Sequence, residues 1–373
     1  MDALMLPLNW QRVRLGDIGK PCMCKRVMKH QTTRYGEIPF YKIGTFGNTA
    51  DAFISKKLFL EYKTKYSFPK KGNILISASG TIGRAVIYDG KPAYFQDSNI
   101  VWIDNDETLV KNDFLFYAYS NVKWNTEHTT ILRLYNDNFR NTLIPLPPLN
   151  EQSTIANILS GLDRYLCALD ALILKKEGVK KALSFELLSQ RKRLKGFNQA
   201  WQKVRLGDIA NYLTSNLSAE QITQQGKIKV YDVNNFIGYT DTTFISDKPY
   251  ISIVKDGSVG RVRILPPKTN ILSTMGALIA NHRTTTEFLF YLLSNFDFKN
   301  FTSGSIIPHI YFKDYKEKTI FLPPLNEQSA IASILSTLDN EITSLKNKKR
   351  QFENIKKALN HDLMSAKIRV LEK

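Results

Sequence analysis

The chain says most of itself twice. WQRVRLGDI, from Trp10 to Ile18, returns as WQKVRLGDI, from Trp201 to Ile209, and LPPLNEQSTIANILSGLD, from Leu146 to Asp163, returns as LPPLNEQSAIASILSTLD, from Leu322 to Asp339. Fainter echoes lie between these anchors: Gly80–Arg84 (GTIGR) against Gly257–Arg261 (GSVGR), and Phe114–Asn121 against Phe288–Asn295. The opening anchors are 191 residues apart and the closing ones 176, so the first copy holds 15 more residues between its anchors. Whatever the first half folds into, the second must fold into as well, which excludes any single undivided core.

Each copy reads as a mixed domain followed by a long helix. Ile74–Ile76 and Ile100–Ile103 are short β-branched or aromatic runs between Gly and Asn/Asp turns, the pattern of strands. Phe114–Asn121 and its copy read as short helices. The long helices open at Pro-Pro-Leu-Asn-Glu-Gln, with Asn150 or Asn326 as the expected N-cap and an acidic residue beside it at the positive end of the dipole. Ile155, Leu159, Leu162, Leu166, Leu169 and Ile173 then follow a heptad seam, which meets Lys176 and Lys180 and resumes at Leu183, Leu187 and Leu194. In the second copy Ile331, Leu335, Leu338, Ile342 and Leu345 meet Lys349, and the seam resumes at Phe352, Ile355 and Leu359. About 40 residues of helix span roughly 60 Å at 1.5 Å per residue. A seam that long needs a partner, and the other copy is the simplest one. The expectation is an α+β protein with a first domain over 1–149, a spacer helix over 150–196, a second domain over 197–325 and a closing helix over 326–373. The helices would form an antiparallel coiled coil in a pseudo-twofold dumbbell. Two helices docked separately on their own domains would be the alternative.

Charge narrows the partner. Lys and Arg total 52 against 34 Asp and Glu, a net +18. The excess is spread: 20 basic against 13 acidic residues over 1–150, and 14 against 10 over 201–325. Such a balance favours a polyanion, nucleic acid above all. No run of ~18 apolar residues offers a membrane span. The start, Met1–Pro7, lacks a basic patch leading into an apolar stretch, so no signal peptide is expected. Cys22, Cys24 and Cys167 form no disulfide framework, as in a reducing cytoplasm. No Gly-x4-Gly-Lys-Ser/Thr and no Asn-Pro-Pro-aromatic motif occurs. Glu61-Tyr62-Lys63 has a nuclease-like Glu-x-Lys form without the preceding Pro-Asp, and Cys22-x-Cys24 lacks the second pair of a tetrahedral zinc site.

The copies differ most inside the domains and least at their anchors. Matched surfaces suit one partner gripped twice, and divergent interiors suit two different targets. The paired LPPLNEQ…IA.IL..LD and W..VRLGDI segments, with the interiors Ile74–Gly83 and Lys255–Gly260, resemble the DNA-specificity subunit of type I restriction-modification systems over essentially the whole chain. The resemblance implies two target-recognition domains that read a bipartite site in double-stranded DNA, with helices holding the half-sites apart. It also implies two docked methyltransferase subunits that modify adenine, and motor-endonuclease restriction subunits that join them. The chain itself would be non-catalytic and hold no cofactor, with S-adenosylmethionine, ATP and Mg belonging to the partners. A stand-alone two-domain repressor is the alternative, and a nuclease or methyltransferase in its own right a weaker one. Same-face sites on B-DNA recur every ~34–36 Å, so helices of roughly 60 Å call for domain surfaces tilted inward.

Candidate contacts follow. Gly80-x-x-Gly83-Arg84 and Gly257-x-x-Gly260-Arg261, with Ser79, Thr81, Lys255, Ser258 and Arg263 around them, could bring backbone N–H groups to a phosphate and an Arg to guanine. The same glycines could instead serve a strand-to-strand turn of positive φ. Lys25, Arg26, Lys29, His30 and Arg34 are the densest basic run of the first domain, joined by Lys56, Lys57, Lys70 and Lys71. Phosphate contact or plain solvation would account for each. Arg133, Tyr135 and Asn138 are placed opposite His309, Tyr311 and Lys313, a stretch the resemblance turns toward DNA, although both tyrosines could simply be packing. Arg191–Lys195 is expected to need no account beyond the negative end of the helix dipole.

Overall fold

A computed structural model of the chain describes residues 7–128 and 132–370; Met1–Leu6, most of the segment on which the expectation of no signal peptide rests, lie outside the described residues. The chain forms two compact units, one of residues 1–169 with 348–373 and the other of 170–347.

The first unit is built on a four-stranded antiparallel sheet ordered Gly19–Met23, Ile100–Asn105, Ile74–Ser77, Ala85–Ile87. Its central strands read as unbroken apolar runs because both faces are covered. Ile74 and Ile76 join Phe114, Tyr117 and Ile155 in one core, while Leu75, Ile100 and Trp102 point to the other face and pack with Phe40, Tyr94 and Phe95. A three-stranded mixed sheet, Phe53–Ile54, Ile38–Tyr41 and Tyr94–Phe95, closes that second core. The ends of the domain meet in an antiparallel ribbon, Gln11–Arg14 with Leu143–Leu146, which is where both repeated anchors lie.

The second unit repeats this order. Its sheet runs Ala210–Thr214, Met275–Ala280, Tyr250–Val254, Val262–Leu265, its mixed sheet Phe236–Thr240, Ile228–Tyr231, Thr269–Ile271, and its ribbon pairs Gln202–Arg205 with Thr319–Leu322. The expected short helices are Asn112–Tyr119 and Thr286–Ser294. Most of the extra length of the first copy is the helix Lys56–Lys65, started by Ser55, whose Oγ accepts from the Leu58 N–H at 3.2 Å.

The long helices are Leu149–Leu188 and Leu325–Met364, 40 residues each. Each begins before the asparagine expected to cap it. Proline ends the preceding strand because it has no N–H to continue the ladder, and the Pro148 carbonyl already accepts from the Gln152 N–H at 2.9 Å. Asn150 therefore sits inside the first turn, where its Oδ1 accepts from the Glu151 N–H at 2.9 Å. The helices end at residues that turn left-handed shortly after them, Gln190 at φ 62° and Ala366 at φ 56°.

Within each unit the two long helices lie antiparallel. In the first unit Asp163 bonds Lys356 and the Tyr165 ring meets Phe352 at 4.7 Å. In the second, Lys176 pairs with Glu341 at 2.6 Å, Glu177 with Lys346 at 2.6 Å and Lys180 with Asp339. The seam is more varied than a plain heptad. Ile155 and Leu159, like Ile331 and Leu335, are buried in the domain cores, where Leu363 and Leu187 respectively complete the packing. Leu169, Ile173 and Ile342 are buried, and Leu162, Leu166, Leu338, Leu345 and Phe352 half-buried. Ile355 is an exception: it is 50% exposed, and the seam position beside it belongs to Lys356.

Candidate nucleic-acid interface

The two anchors of each copy form a joint. Trp10 donates its indole N–H to Glu151 at 3.0 Å, and Trp201 donates to Glu327 at 3.0 Å. Each carboxylate also takes a two-pronged guanidinium: Arg369 on Glu151 at 2.8 and 3.0 Å, Arg193 on Glu327 at 3.1 and 2.6 Å. The carboxylates hold both guanidinium pKa values above the ordinary one, chiefly through these hydrogen bonds. Gln152 and Gln328 finish the joint, each donating to a proline carbonyl, Pro147 at 2.9 Å and Pro323 at 2.8 Å. The identity of the anchors thus has an internal cause for Trp10, Glu151 and Gln152 and their copies Trp201, Glu327 and Gln328, while other positions of the same motif remain at the surface. Of that motif Leu149, Asn150 and Ser153 face solvent, as do Leu325, Asn326 and Ser329. Arg193 likewise needs more than a helix dipole to account for it, since the helix has ended at Leu188 and Arg193 neutralises a buried carboxylate.

A second matched node ties the domain to both helices. Asp163 accepts from Tyr117 Oη at 2.7 Å and from Lys356, and Asp339 accepts from Tyr291 Oη at 2.9 Å and from Lys180. Burial, and then the neighbouring carboxylate, push both tyrosine pKa values up.

The Gly-x-x-Gly segments are hairpin turns at the ends of the central strands. Gly83 has φ +83°, and a Cβ there would lie 2.2 Å from Trp124 Nε1; Gly260 has φ +80°, with a Cβ 2.6 Å from Phe298 Cδ2. Their N–H groups are spent inside the domain. Gly83 donates to Ser77 at 2.9 Å and Gly260 to Val254 at 2.9 Å, while Gly80 donates to Leu132 at 3.3 Å and Gly257 to Pro308 at 2.9 Å. The turn accounts for the glycines, and these four amides do not form a phosphate cradle.

Each turn lies against the strand just before the closing ribbon, through the bridges Ser79↔Arg133 and Asp256↔His309. The two units fill this common place differently. In the first, the Ser79 hydroxyl donates to Asn99 Oδ1 at 2.7 Å and the Arg84 guanidinium to the Phe46 carbonyl at 2.8 Å. In the second, His309 Nδ1 lies 2.6 Å from Asp256 Oδ1, while Lys255 is half-buried and Ser258 and Arg261 are exposed. Arg263 stacks 5.2 Å over Tyr231 and donates to the Asn234 carbonyl at 2.9 Å.

The first domain has a cleft of about 470 Å³ beside its turn, lined by Arg26, Lys29 and Arg133, with Lys42, Gln96 and Asn99. Arg26 is braced by Asp97 at 2.9 Å. Nothing in the sequence singled out Gln96–Asn99, because its meeting with the basic segment some 70 residues earlier depends on the sheet order. Other candidates lie apart from the cleft. Lys25 sits 5.1 Å over Tyr66, Lys70 pairs with Asp104 at 3.3 Å, and His30, Arg34, Lys56, Lys57, Lys71 and Thr81 are exposed. Asn138 donates to Glu127 at 2.9 Å. Tyr135 and Tyr311 are 41% and 49% exposed and precede matched short helices, so neither belongs to a buried core. The buried aromatics there are Phe139 and Tyr315, four residues on, which sets Asn138 opposite Asp314 rather than Lys313. Lys313 lies 5.6 Å from the Tyr311 ring.

Cys24 is buried in the second core and its thiol is pushed up to about 12 by desolvation; Cys22 is raised for the same reason. Glu61 lies exposed on its helix and pairs with Lys65 at 3.1 Å. No group of His, Cys, Asp and Glu suited to a metal ion occurs among the described residues, and no described helix is long and apolar enough to cross a membrane.

Two copies of one basic α+β domain, each clamped to a long helix, define a repeated recognition scaffold. The chain belongs to the type I restriction modification DNA specificity family, whose domain signature matches residues 7–176 and again 198–354. It is 25% identical, over 99% of its length and 95% of the relative's, to the MjaVIII type I restriction enzyme specificity subunit of Methanocaldococcus jannaschii. It is 63% identical over 152 residues to a Haemophilus influenzae protein that carries the name of a type I restriction enzyme specificity subunit; that match spans 40% of either chain. The S subunit of a type I restriction-modification system from M. genitalium has the same fold, with a TM-score of 0.64 at 20% identity over 97% of this chain and 98% of that one. A chain from a structure addressing complex assembly and conformational transition of the type I R-M system gives 0.59 at 16% identity over 96% and 98%.

Proposed function

We propose that this chain is a non-catalytic subunit that reads a bipartite site in double-stranded DNA, one half-site per domain, and carries two methyltransferase subunits and the restriction subunits to it. The observation that supports this most is the contrast within one scaffold. The joints built on Glu151 and Glu327 are the same, while the bridged position beside each turn holds Ser79, Asn99 and Arg133 in one domain and Asp256 and His309 in the other. A duplicated fold with unlike polar side chains at one site suits two unlike half-sites, because base edges are told apart by donor and acceptor pattern. The net charge of +18 suits the phosphates of both. Leu149 and Leu325, exposed at matching places, offer equal footing to two copies of one partner. In this reading adenine methylation draws its S-adenosylmethionine, and cleavage its ATP and Mg, from the partner subunits.

The test is co-expression with the methyltransferase encoded beside this chain in a methylation-free host, with modified adenines mapped by single-molecule sequencing. A split motif that requires both proteins is expected. A soluble complex that leaves no new modification would overturn the adenine-targeting role and favour a stand-alone repressor.

A further inference from the structure

The second unit raises a narrow hairpin whose tip is apolar. Thr302–Ser303 pairs with His309–Ile310, and at the apex between them Ile306 is 92% exposed and Ile307 55%. Single exposed aliphatics are ordinary on a protein surface, but this one is held in place. Gly304 turns the chain at φ +89°. The Pro308 carbonyl accepts from Gly257 at 2.9 Å, Ile310 donates to the Lys255 carbonyl at 2.9 Å, and His309 is bound to Asp256. The tip is therefore fixed to the same turn that carries Lys255 and Arg261, whose side chains enter no hydrogen bond or ion pair among the described residues.

An apolar tip fixed to a turn that carries two cations calls for a partner that offers anionic groups beside an apolar point. The major groove of DNA meets both conditions. It admits a two-stranded β-ribbon, its walls are phosphate, and the one methyl group on any base edge in it is the thymine 5-methyl. We propose that the Ile306–Ile307 apex enters the major groove of the half-site read by the second domain and packs against a thymine methyl, which makes Ile306 a specificity-determining residue. The proposal rests on the DNA-reading role given above.

The test uses the full chain in complex with its methyltransferase and duplexes carrying the mapped motif. Each thymine of the second half-site is replaced in turn by uracil, which removes only the methyl. Anisotropy titrations should show one uracil weakening the parent complex about fourfold, the value of one buried methyl. Ile306→Ala should weaken binding to the thymine duplex by at least that factor and bind the uracil duplex no worse, while Ile306→Val keeps most of the affinity. The side chain is almost wholly exposed, so the melting temperature of the variant should equal the parent's. Parent-like affinity of Ile306→Ala, a uracil penalty that persists in it, or a second half-site without thymine would each overturn the proposal. So would a variant that keeps its DNA affinity but releases the methyltransferase, since the tip would then be a protein contact. A parent complex with no sequence-specific binding at all would instead remove the DNA-reading role on which the proposal stands.

Discussion

Removing Arg369 should loosen the first unit far more than its place four residues before Lys373 suggests. Glu151 is only 2% exposed, and Arg369 gives it two charge-assisted bonds at 2.8 and 3.0 Å. Arg369→Ala leaves the carboxylate with the Trp10 indole at 3.0 Å and little else of like strength. Breaking a buried ion pair from one side costs roughly 3–5 kcal/mol, since a charge stays behind unpaired. The Arg369 side chain is itself 27% exposed, so water reaches the space it leaves and the lower end applies, about 3 kcal/mol. For a unit of this size that lowers the melting temperature by about 6–12 °C. Arg369→Lys keeps the charge without the fork and should fall between. Glu151→Gln added to Arg369→Ala removes the stranded charge and should recover most of the loss. Calorimetry of the parent and these three variants, with hydrogen exchange around Trp10 to show which unit opens, is the measurement. A shift under about 2 °C for Arg369→Ala, or no recovery in the double variant, would refute the reasoning that a buried charge governs the joint.

Three further outcomes are expected. Gly260→Ala should lower the melting temperature well beyond Gly257→Ala: both incur the left-handed penalty of about 1–2 kcal/mol, but only at 260 does the Cβ strike the Phe298 ring. Asp339→Asn should lower stability by roughly 1 kcal/mol, because Lys180 loses its charge partner in a half-exposed setting while Tyr291 keeps a hydrogen-bond acceptor; equal melting of variant and parent would count against the node. The Cys24 thiol has its pKa raised from 9.0 to about 12 on folding, so its share of stability is intact below pH 9 and declines between 9 and about 12, as the unfolded chain ionises and the folded one does not. Thiol labelling near neutral pH should accordingly reach exposed Cys167 first, half-buried Cys22 more slowly and Cys24 only on unfolding.

The duplication, the two strand-rich domains and the two long helices were legible because each follows from local pattern: repeated anchors, β-branched runs between turn residues, and a 4-3 spacing of Leu and Ile. Pattern also pointed correctly to a polar break in the seam at Lys176 and Lys180, and the structure shows Glu341 and Asp339 filling it. It erred where function and packing look alike in a sequence. Glu151 and Glu327 read as dipole partners at a helix start, yet they are buried ion-pair centres whose arginines lie 218 and 134 residues away. For the Gly-x-x-Gly pairs the sequence left a phosphate site and a positive-φ turn equally open, and their amides are used within the domain as the turn requires.

What the sequence determined by itself is the class of molecule: a basic protein made of one α+β unit used twice, with helices too long and too apolar along one stripe to stand unpaired. Only the tertiary structure decided which residues share a place. Arg26 and Arg133 line one cleft because the strand order brings the ends of the domain together, and Lys255, Asp256 and His309 meet because a turn and a hairpin are bridged backbone to backbone. Periodicity reports which face of an element is buried, since burial repeats with the geometry of that element. It carries no record of which distant element covers that face, and a recognition surface is assembled from such distant pairs.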